Sequence, residues 1–380
     1  MSSQRLDGRS RVLGTLSRWG PLSQAELARR AALAPSTVSG LVADLAGEGV
    51  LVELADRSSP GARGGRPATL LTLHRDAGVV LGIDFGKAHV RVALADLAHR
   101  VIGERDLPLE TDAAASVHLQ RARDLAAELL AEAGMPPSRL VGVGCGFPGP
   151  VQGTDGGAVD PAILPGWRDV RPVERLEAEF AAPAAVANDA NLGALGEWTW
   201  GAARGCSEVA YVKAATGIGA GLVLRGEPFG GYAGTAGEIG HVSLDPAGER
   251  CRCGNRGCLE VLAGGPAVLA RSGRTTLHEV VVAARDGDPG CVAAIGESGR
   301  WLGLALGGLC NVLNPQRLVI GGELAAAGDV LLGPLRTALA GAVLGSAGAG
   351  LDVVAGELGE RAEVLGAVAQ ALRLARPLRP

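Results

Sequence analysis

The residues best able to do chemistry lie in one short run: Gly237-Glu238-Ile239-Gly240-His241, then Cys251, Cys253 and Cys258. One imidazole and three thiols within eighteen residues form a complete ligand set for tetrahedral Zn²⁺, whose structural sites are filled by four such protein ligands. Glycines between the cysteines let the backbone turn tightly around an ion, because glycine reaches positive φ at little cost. The rival readings are a disulfide between two of these thiols and a loop of buried, inert cysteines. Seven cysteines is an odd number for a disulfide framework, and Cys145, Cys206, Cys291 and Cys310 sit in apolar contexts. Free thiols in a reducing compartment fit better.

Carboxylates and glycine-rich turns accompany the metal set. Asn188-Asp189-Ala190-Asn191 follows an apolar run and precedes a helical one, so Asp189 can accept a hydrogen bond from a substrate hydroxyl or take its proton. Glu238, His241 and Glu260 bracket the thiols and can present carboxylates to the same place. Backbone amides of Thr216-Gly217-Ile218-Gly219-Ala220-Gly221 can cradle a phosphate. Each has a bland alternative, since Asn-Asp is often a helix cap, a lone glycine-rich turn is a weak sign and Glu260 can simply cap its helix. Their co-occurrence on one body indicates a binding site.

Positioning these groups takes an α/β scaffold. Runs at 79–86, 90–96, 100–104 and 140–149 read as strands, with a helix over about 114–133. A related succession begins near 184–189, continues through strands at 208–212 and 220–225, and adds helices near 259–270, 277–286 and 290–312 before a buried strand at 317–322. Two such lobes imply a cleft lined by loops at strand ends.

Residues 1–75 differ in character. They carry ten arginines, no lysine and six acids, a charge of +4, although the whole chain is at −4. Ser23 with Glu26 reads as a capping box for a helix over 24–31 that buries Ala25, Leu27 and Ala28. A second helix opens at Pro35 and repeats Val38, Leu41, Val42 and Leu45 at helical spacing. This is a helix-turn-helix, with Ser36, Thr37, Ser39 and Gly40 on the outward N-terminal face of the reading helix. Strands at 50–54 and 69–73 flank a Gly/Arg loop whose Arg63 and Arg66 can clamp phosphates or enter a minor groove, which makes the loop a wing. DNA binding is the favoured reading over an ordinary small bundle. No apolar run is long enough to span a bilayer and the N-terminus lacks a signal-peptide pattern, so a cytoplasmic protein without membrane association is expected.

The chain resembles the ROK family (repressors, open reading frames and kinases) through Asp84-Phe-Gly86, Gly146-Phe-Pro-Gly-Pro-Val151, Leu164-Pro-Gly-Trp167, Asn188-Asp-Ala-Asn191, Thr216–Gly221, Glu238-Ile-Gly-His241 and the Cys-x-Cys-Gly-x-x-Gly-Cys-x-Glu run 251–260. The resemblance implies a winged helix-turn-helix at 1–75 and a two-lobed actin-like domain at 76–380, with lobes of about 76–185 and 186–380 and a structural zinc loop at 241–258. By position, His241, Cys251, Cys253 and Cys258 would hold zinc; Asn188, Asp189, Glu238, His241 and Glu260 would bond sugar hydroxyls; Asp189 would be the base of a kinase. Asp84, Gly86, Thr216, Gly217 and Gly219 would be vestigial phosphate contacts. The implied protein is a sugar-responsive repressor, a homodimer or dimer of dimers, released from operator DNA by a sugar or sugar phosphate in the interlobe cleft. An ATP-dependent sugar kinase with a DNA-binding head is the alternative. Two departures bear on it. Lys87 and Ala88 stand where kinase members read Gly-Thr, which argues against phosphoryl transfer. Ile163 stands where sugar-binding members usually place Asn, which bears on the sugar's identity.

Overall fold

The computed structural model describes residues 3–55, 69–86, 88–109, 113–152, 158–159 and 163–378. The chain divides into two compact units, one made of 1–147, 155–187 and 367–380, the other of 148–154 and 188–366.

The first unit begins with three helices, α1 (Ser3–Trp19), α2 (Gln24–Ala31) and α3 (Pro35–Gly47). Ser23 caps α2 by accepting the Glu26 amide, and Pro35 opens α3, where the N–H that proline lacks would have no partner within the helix anyway. Leu27, Ala28 and Ala31 of α2 meet Val38, Leu41 and Leu45 of α3 in the small core, while Ala25 is exposed and Val42 half-buried. Ala25 had been expected inside; Ala31, one turn and a half along the helix, faces the core instead. Short strands β1 (Leu22–Ser23), β2 (Leu51–Ala55) and β3 (Thr69–Leu73) close the head as an antiparallel sheet in the order β1-β3-β2, with Leu51 opposite Leu73 and Ala55 opposite Thr69. The expected wing loop with Arg63 and Arg66 lies outside the described residues, as does Lys87.

The unit continues with β4 (Val79–Phe85), β5 (His89–Asp96), β6 (Val101–Pro108), α4 (Ala115–Glu132), β7 (Leu140–Phe147) and α5 (Pro172–Phe180). Together with the strand Ala184–Asn188 they build a five-stranded sheet: β7 lies between that strand and β4, and β5 and β6 follow. β4 runs parallel to β7 and antiparallel to β5. Its seven residues are all buried, as a central strand covered on both faces requires. Gly142 and Gly144 of β7 let the backbone of the C-terminal helix, at Ala371 and Ala367, approach where any Cβ would collide.

The second unit has its own five-stranded sheet, with the strand 208–214 central. It is antiparallel to 218–224 and parallel to 317–321, which pairs in parallel with 352–355. Helices α6 (Asp189–Trp200), α7 (Leu259–Ala263), α8 (Gly265–Ser272), α9 (Leu277–Arg285), α10 (Pro289–Leu313) and α11 (Asp329–Ala342) belong to it. The single helix expected over 259–270 is two, broken at Gly264, where a Cβ would meet the Glu260 carbonyl at 2.6 Å and proline follows at 266. Along α10, Gly299, Gly303 and Gly307 form a groove at four-residue spacing that admits the α11 backbone. A helix-turn-helix with a small antiparallel sheet followed by sheets of actin-like α/β type is the fold class expected from the residues, although residues 367–380 belong to the first unit and not to the second lobe expected over 186–380.

One buried carboxylate ties the second unit together. Glu197, near the end of α6, is fully buried and accepts amide hydrogens from Ala202 (2.7 Å), Glu357 (3.2 Å) and Leu358 (2.9 Å). Removing it takes the acceptor from three N–H donors at once, that of Ala202 in a buried contact and those of Glu357 and Leu358 in half-buried ones. Glu197→Ala is therefore expected to lower unfolding stability by about 3–5 kcal/mol. Chemical denaturation is the check, and a loss below about 1 kcal/mol would show those amides finding other partners.

Candidate functional site

His241, Cys251, Cys253 and Cys258 converge in the second unit, their ligand atoms all within 4.8 Å of one another. Local chain geometry brings them there. Gly237 (φ +99°) and Gly240 press the 3₁₀ turn Ile239–His241 onto the strand 218–224, against the Ala220 and Ile218 carbonyls. Bridges between Ser243 and Cys258 and between Arg250 and Arg256 then fold the cysteine run back beside His241. Cys251 and Cys258 are buried and Cys253 is exposed, and no disulfide joins them.

The spacing tests the fit of a metal. Bonds of roughly 2.3 Å to sulfur and 2.0–2.1 Å to nitrogen at tetrahedral angles require about 3.7–3.8 Å between sulfurs and about 3.5–3.6 Å from sulfur to imidazole nitrogen. Cys253 Sγ lies 3.7 Å from Cys258 Sγ, and Cys251 Sγ lies 3.6 Å from His241 Nδ1. A disulfide needs roughly 2.05 Å. The four residues can hold a metal ion.

Carboxylates stand beside this centre. Burial pushes the Glu238 carboxyl above its ordinary value, and the nearby Asp189 carboxylate adds to the effect. Glu260, at the start of α7, accepts the Ile218 amide at 3.3 Å on one oxygen and the Arg252 side chain at 3.0 Å on the other. It thus joins the glycine turn to the cysteine loop. Asn188 is the N-cap of α6: its Oδ1 accepts the Ala190 and Asn191 amides, and its Nδ2 donates to the Gly149 carbonyl at 2.9 Å. That leaves one amide hydrogen for a ligand. Asp189 Oδ1 accepts the Ala190 amide and Oδ2 accepts Lys213 Nζ at 2.9 Å. The same ammonium reaches Glu363 Oε1 at 3.2 Å, and the buried Tyr211 hydroxyl donates to that oxygen at 3.4 Å. Burial, with Glu363 beside it, holds the Tyr211 phenol protonated well above its usual range. Lys213 was not singled out from the sequence; a lysine in a strand otherwise made of buried residues was the available signal.

The two phosphate-loop candidates are placed differently. Asp84, buried at the end of β4, binds His89 Nε2 at 3.0 Å, and the His89 ring covers Gly86 so closely that no Cβ would fit. Asp84 Oδ1 is buried without a hydrogen-bond partner among the described residues. In the second unit the turn is only Ala215–Gly217; Ile218–Gly221 already belongs to a strand. Gly219 and Gly221 leave room for α6 at Ala190, while Gly217 leaves room for the Glu260 carboxylate. Ile163 is buried.

On the head, Ser36, Thr37, Ser39 and Gly40 are all exposed at the N-terminal end of α3, while Val38 and Leu41 between them are buried. The face expected to read a groove is open.

Comparison with known proteins agrees with this assembly. Residues 80–373 match the ROK family. The chain is 30% identical over 370 residues to the DNA-binding transcriptional dual regulator NagC of Escherichia coli, covering 93% of this chain and 89% of that one. It is 28% identical to the xylose repressor of Bacillus subtilis, over 91% and 90% of the two chains. The crystal structure of a ROK family transcriptional regulator, a homologue of the E. coli MLC protein, superposes with a TM-score of 0.78 at 26% identity over 97% of both chains. The chain belongs to the ROK family.

Proposed function

We propose that the protein is a sugar-responsive transcriptional repressor whose head, residues 1–75, binds operator DNA and whose body, 76–380, binds a sugar. The observation that carries this reading is the exposed N-terminal face of α3 in a chain whose body holds Asp189, Glu238 and Glu260 beside a four-ligand metal set. A xylose repressor and a DNA-binding transcriptional dual regulator, each similar over nine-tenths of the chain, support it. Asn188, Asp189, Glu238, His241 and Glu260 bond the sugar's hydroxyls in this reading. Zn²⁺ on His241, Cys251, Cys253 and Cys258 fixes the loop that carries Glu238 and Glu260. A homodimer presents two heads to half-sites about 34 Å or a multiple apart. Sugar binding with a coupling of roughly 1–3 kcal/mol would weaken DNA affinity about 5- to 150-fold. Among the described residues no helix is long and apolar enough to cross a membrane.

The test is selection of bound duplexes from a random pool, with and without D-xylose, D-glucose and N-acetylglucosamine. Enrichment of a palindrome that one sugar reverses is the expected result; no enrichment at moderate ionic strength rejects the reading. A companion measurement uses Ser36→Glu and Ser39→Glu. Glutamate near a helix N-terminus suits the helix dipole, so folding should be preserved. Its charge would face phosphates, and operator affinity should fall at least about tenfold in each variant. Unchanged affinity would mean that this face of α3 does not meet DNA.

A further inference from the structure

The turn between β5 and β6 is built with unusual care for a surface connection. Asp96, buried at the end of β5, accepts the amides of Ala98 (3.0 Å) and Arg100 (2.9 Å) on Oδ1 and the Arg100 guanidinium on Oδ2 (3.2 Å). Between them His99 adopts φ +67°, a left-handed conformation that disfavours side chains other than Gly, Asn, Asp and His. The bend does not require an imidazole, since Gly or Asn would adopt the same left-handed conformation.

The ring instead reaches across 82 residues of sequence to the head. His99 Nε2 donates to the Ser17 carbonyl at 2.9 Å, in the last turn of α1. A carbonyl only accepts, so the proton is on Nε2. Burial lowers the imidazole's proton affinity, which favours the neutral donor form. The ring also lies flat against Gly20 (φ +74°), where a Cβ would sit 3.4 Å from Nδ1. Ser17 is itself buried, and its hydroxyl has no hydrogen-bond partner among the described residues. The backbone at Ser17, not its side chain, is therefore what the contact uses.

This matters because the chain joins head to sheet through a short segment, His74 to Gly78, containing one 3₁₀ turn. A single covalent strap permits swivelling; a second point of attachment on α1 removes it. α1 packs on both α2 and α3, so pinning its end sets the direction of α3. We infer that His99 is a positioning residue, a latch by which the sheet β4–β7 holds the head in one orientation. The inference rests on the regulator reading for its purpose, but not for its test.

Hydrogen exchange on the full-length protein, without DNA or sugar, reads the latch directly. His99→Asn keeps a residue suited to the left-handed turn but is too short to reach Ser17. Amides of residues 14–20 should exchange at least about tenfold faster in it, with β4 and β7 unchanged as evidence of an intact sheet. Ser17→Ala should exchange like the wild type. His99→Gly, equally suited to the turn, repeats the measurement should the Asn variant fail to fold. Unchanged exchange at 14–20 in a folded variant overturns the proposal. The orienting role has its own readout on a selected operator. Insertion of about half a helical turn between half-sites should cost the wild type more than tenfold in affinity and the latch variant less than threefold. Equal losses would show that the latch does not orient the heads. Absence of any operator would instead defeat the regulator reading, leaving the exchange result standing.

Discussion

Replacing Cys258 by serine is expected to abolish metal retention and sugar response together while leaving both sheets folded. Purified wild-type protein should carry about one zinc per chain, and the variant none, because loss of one thiolate from a closed four-ligand site removes much of a binding free energy that reaches about 10–16 kcal/mol in small zinc domains. The consequence is local for a structural reason. Backbone bonds hold the loop 243–258 chiefly to itself, through pairs such as Leu244 with Gly257, Gly257 with Glu249 and Cys251 with Asn255. The sheet strands 208–214, 218–224 and 317–321 draw their stability from the core cluster of Val212, Leu222, Leu259, Leu302 and Leu318. Without the ion, the 3₁₀ turn at Ile239–His241 and the start of α7 lose their common anchor, so Glu238 and Glu260 lose their fixed separation. Metal analysis, far-ultraviolet circular dichroism and sugar-dependent DNA release make the check. A zinc-free variant that still releases DNA normally on sugar addition would remove the metal from the mechanism.

How far the sequence alone led depends on how local each signal was. The four-residue metal set was legible because all four ligands fall in one loop, and three glycines at positive φ (Gly237, Gly254 and Gly257) left little freedom in how it folds. Helices α2 and α3 were legible to within a residue because Ser23, Pro35 and the Val38-Leu41-Leu45 repeat mark their ends and their buried face. The glycine run 216–221, read as one turn, is a turn only as far as Gly217, for a physical reason. A glycine needed for helix packing and one needed for a phosphate look alike in sequence, and only Gly217 lies in the turn. For contacts far apart along the chain the sequence named no pair of partners. Lys213 against Glu363, Glu197 against the 357–358 amides, and His99 against Ser17 each join segments separated by 82 residues or more.

Asp189 is where the sensor and kinase readings part, and its two substitutions separate them. In this chain both of its oxygens are already engaged, Oδ1 by the Ala190 amide and Oδ2 by the Lys213 ammonium. Each carboxylate oxygen has a further lone pair, so a sugar hydroxyl can still donate to it. A base must go further and take the proton, on an oxygen whose neighbour is a fixed cation 2.9 Å away. Asp189→Asn should therefore weaken sugar binding about 10- to 150-fold, the loss of a hydrogen bond to a charged acceptor worth roughly 1.5–3 kcal/mol. Isothermal calorimetry with whichever sugar reverses operator binding would measure it. Lys213→Met should cost stability as well, about 3–5 kcal/mol, because it strips the shared cation from Asp189 and the buried Glu363. Neither protein, nor the wild type, should phosphorylate D-glucose or N-acetylglucosamine with Mg-ATP: were a phosphate to bind over Gly86, as the family resemblance implies for kinases, the His89 ring would stand in its way. Turnover in the wild type that vanishes in Asp189→Asn would reverse that conclusion. A carboxylate bridged to lysine and amide is suited to holding a hydroxyl still, and holding it still is all that a sensor requires.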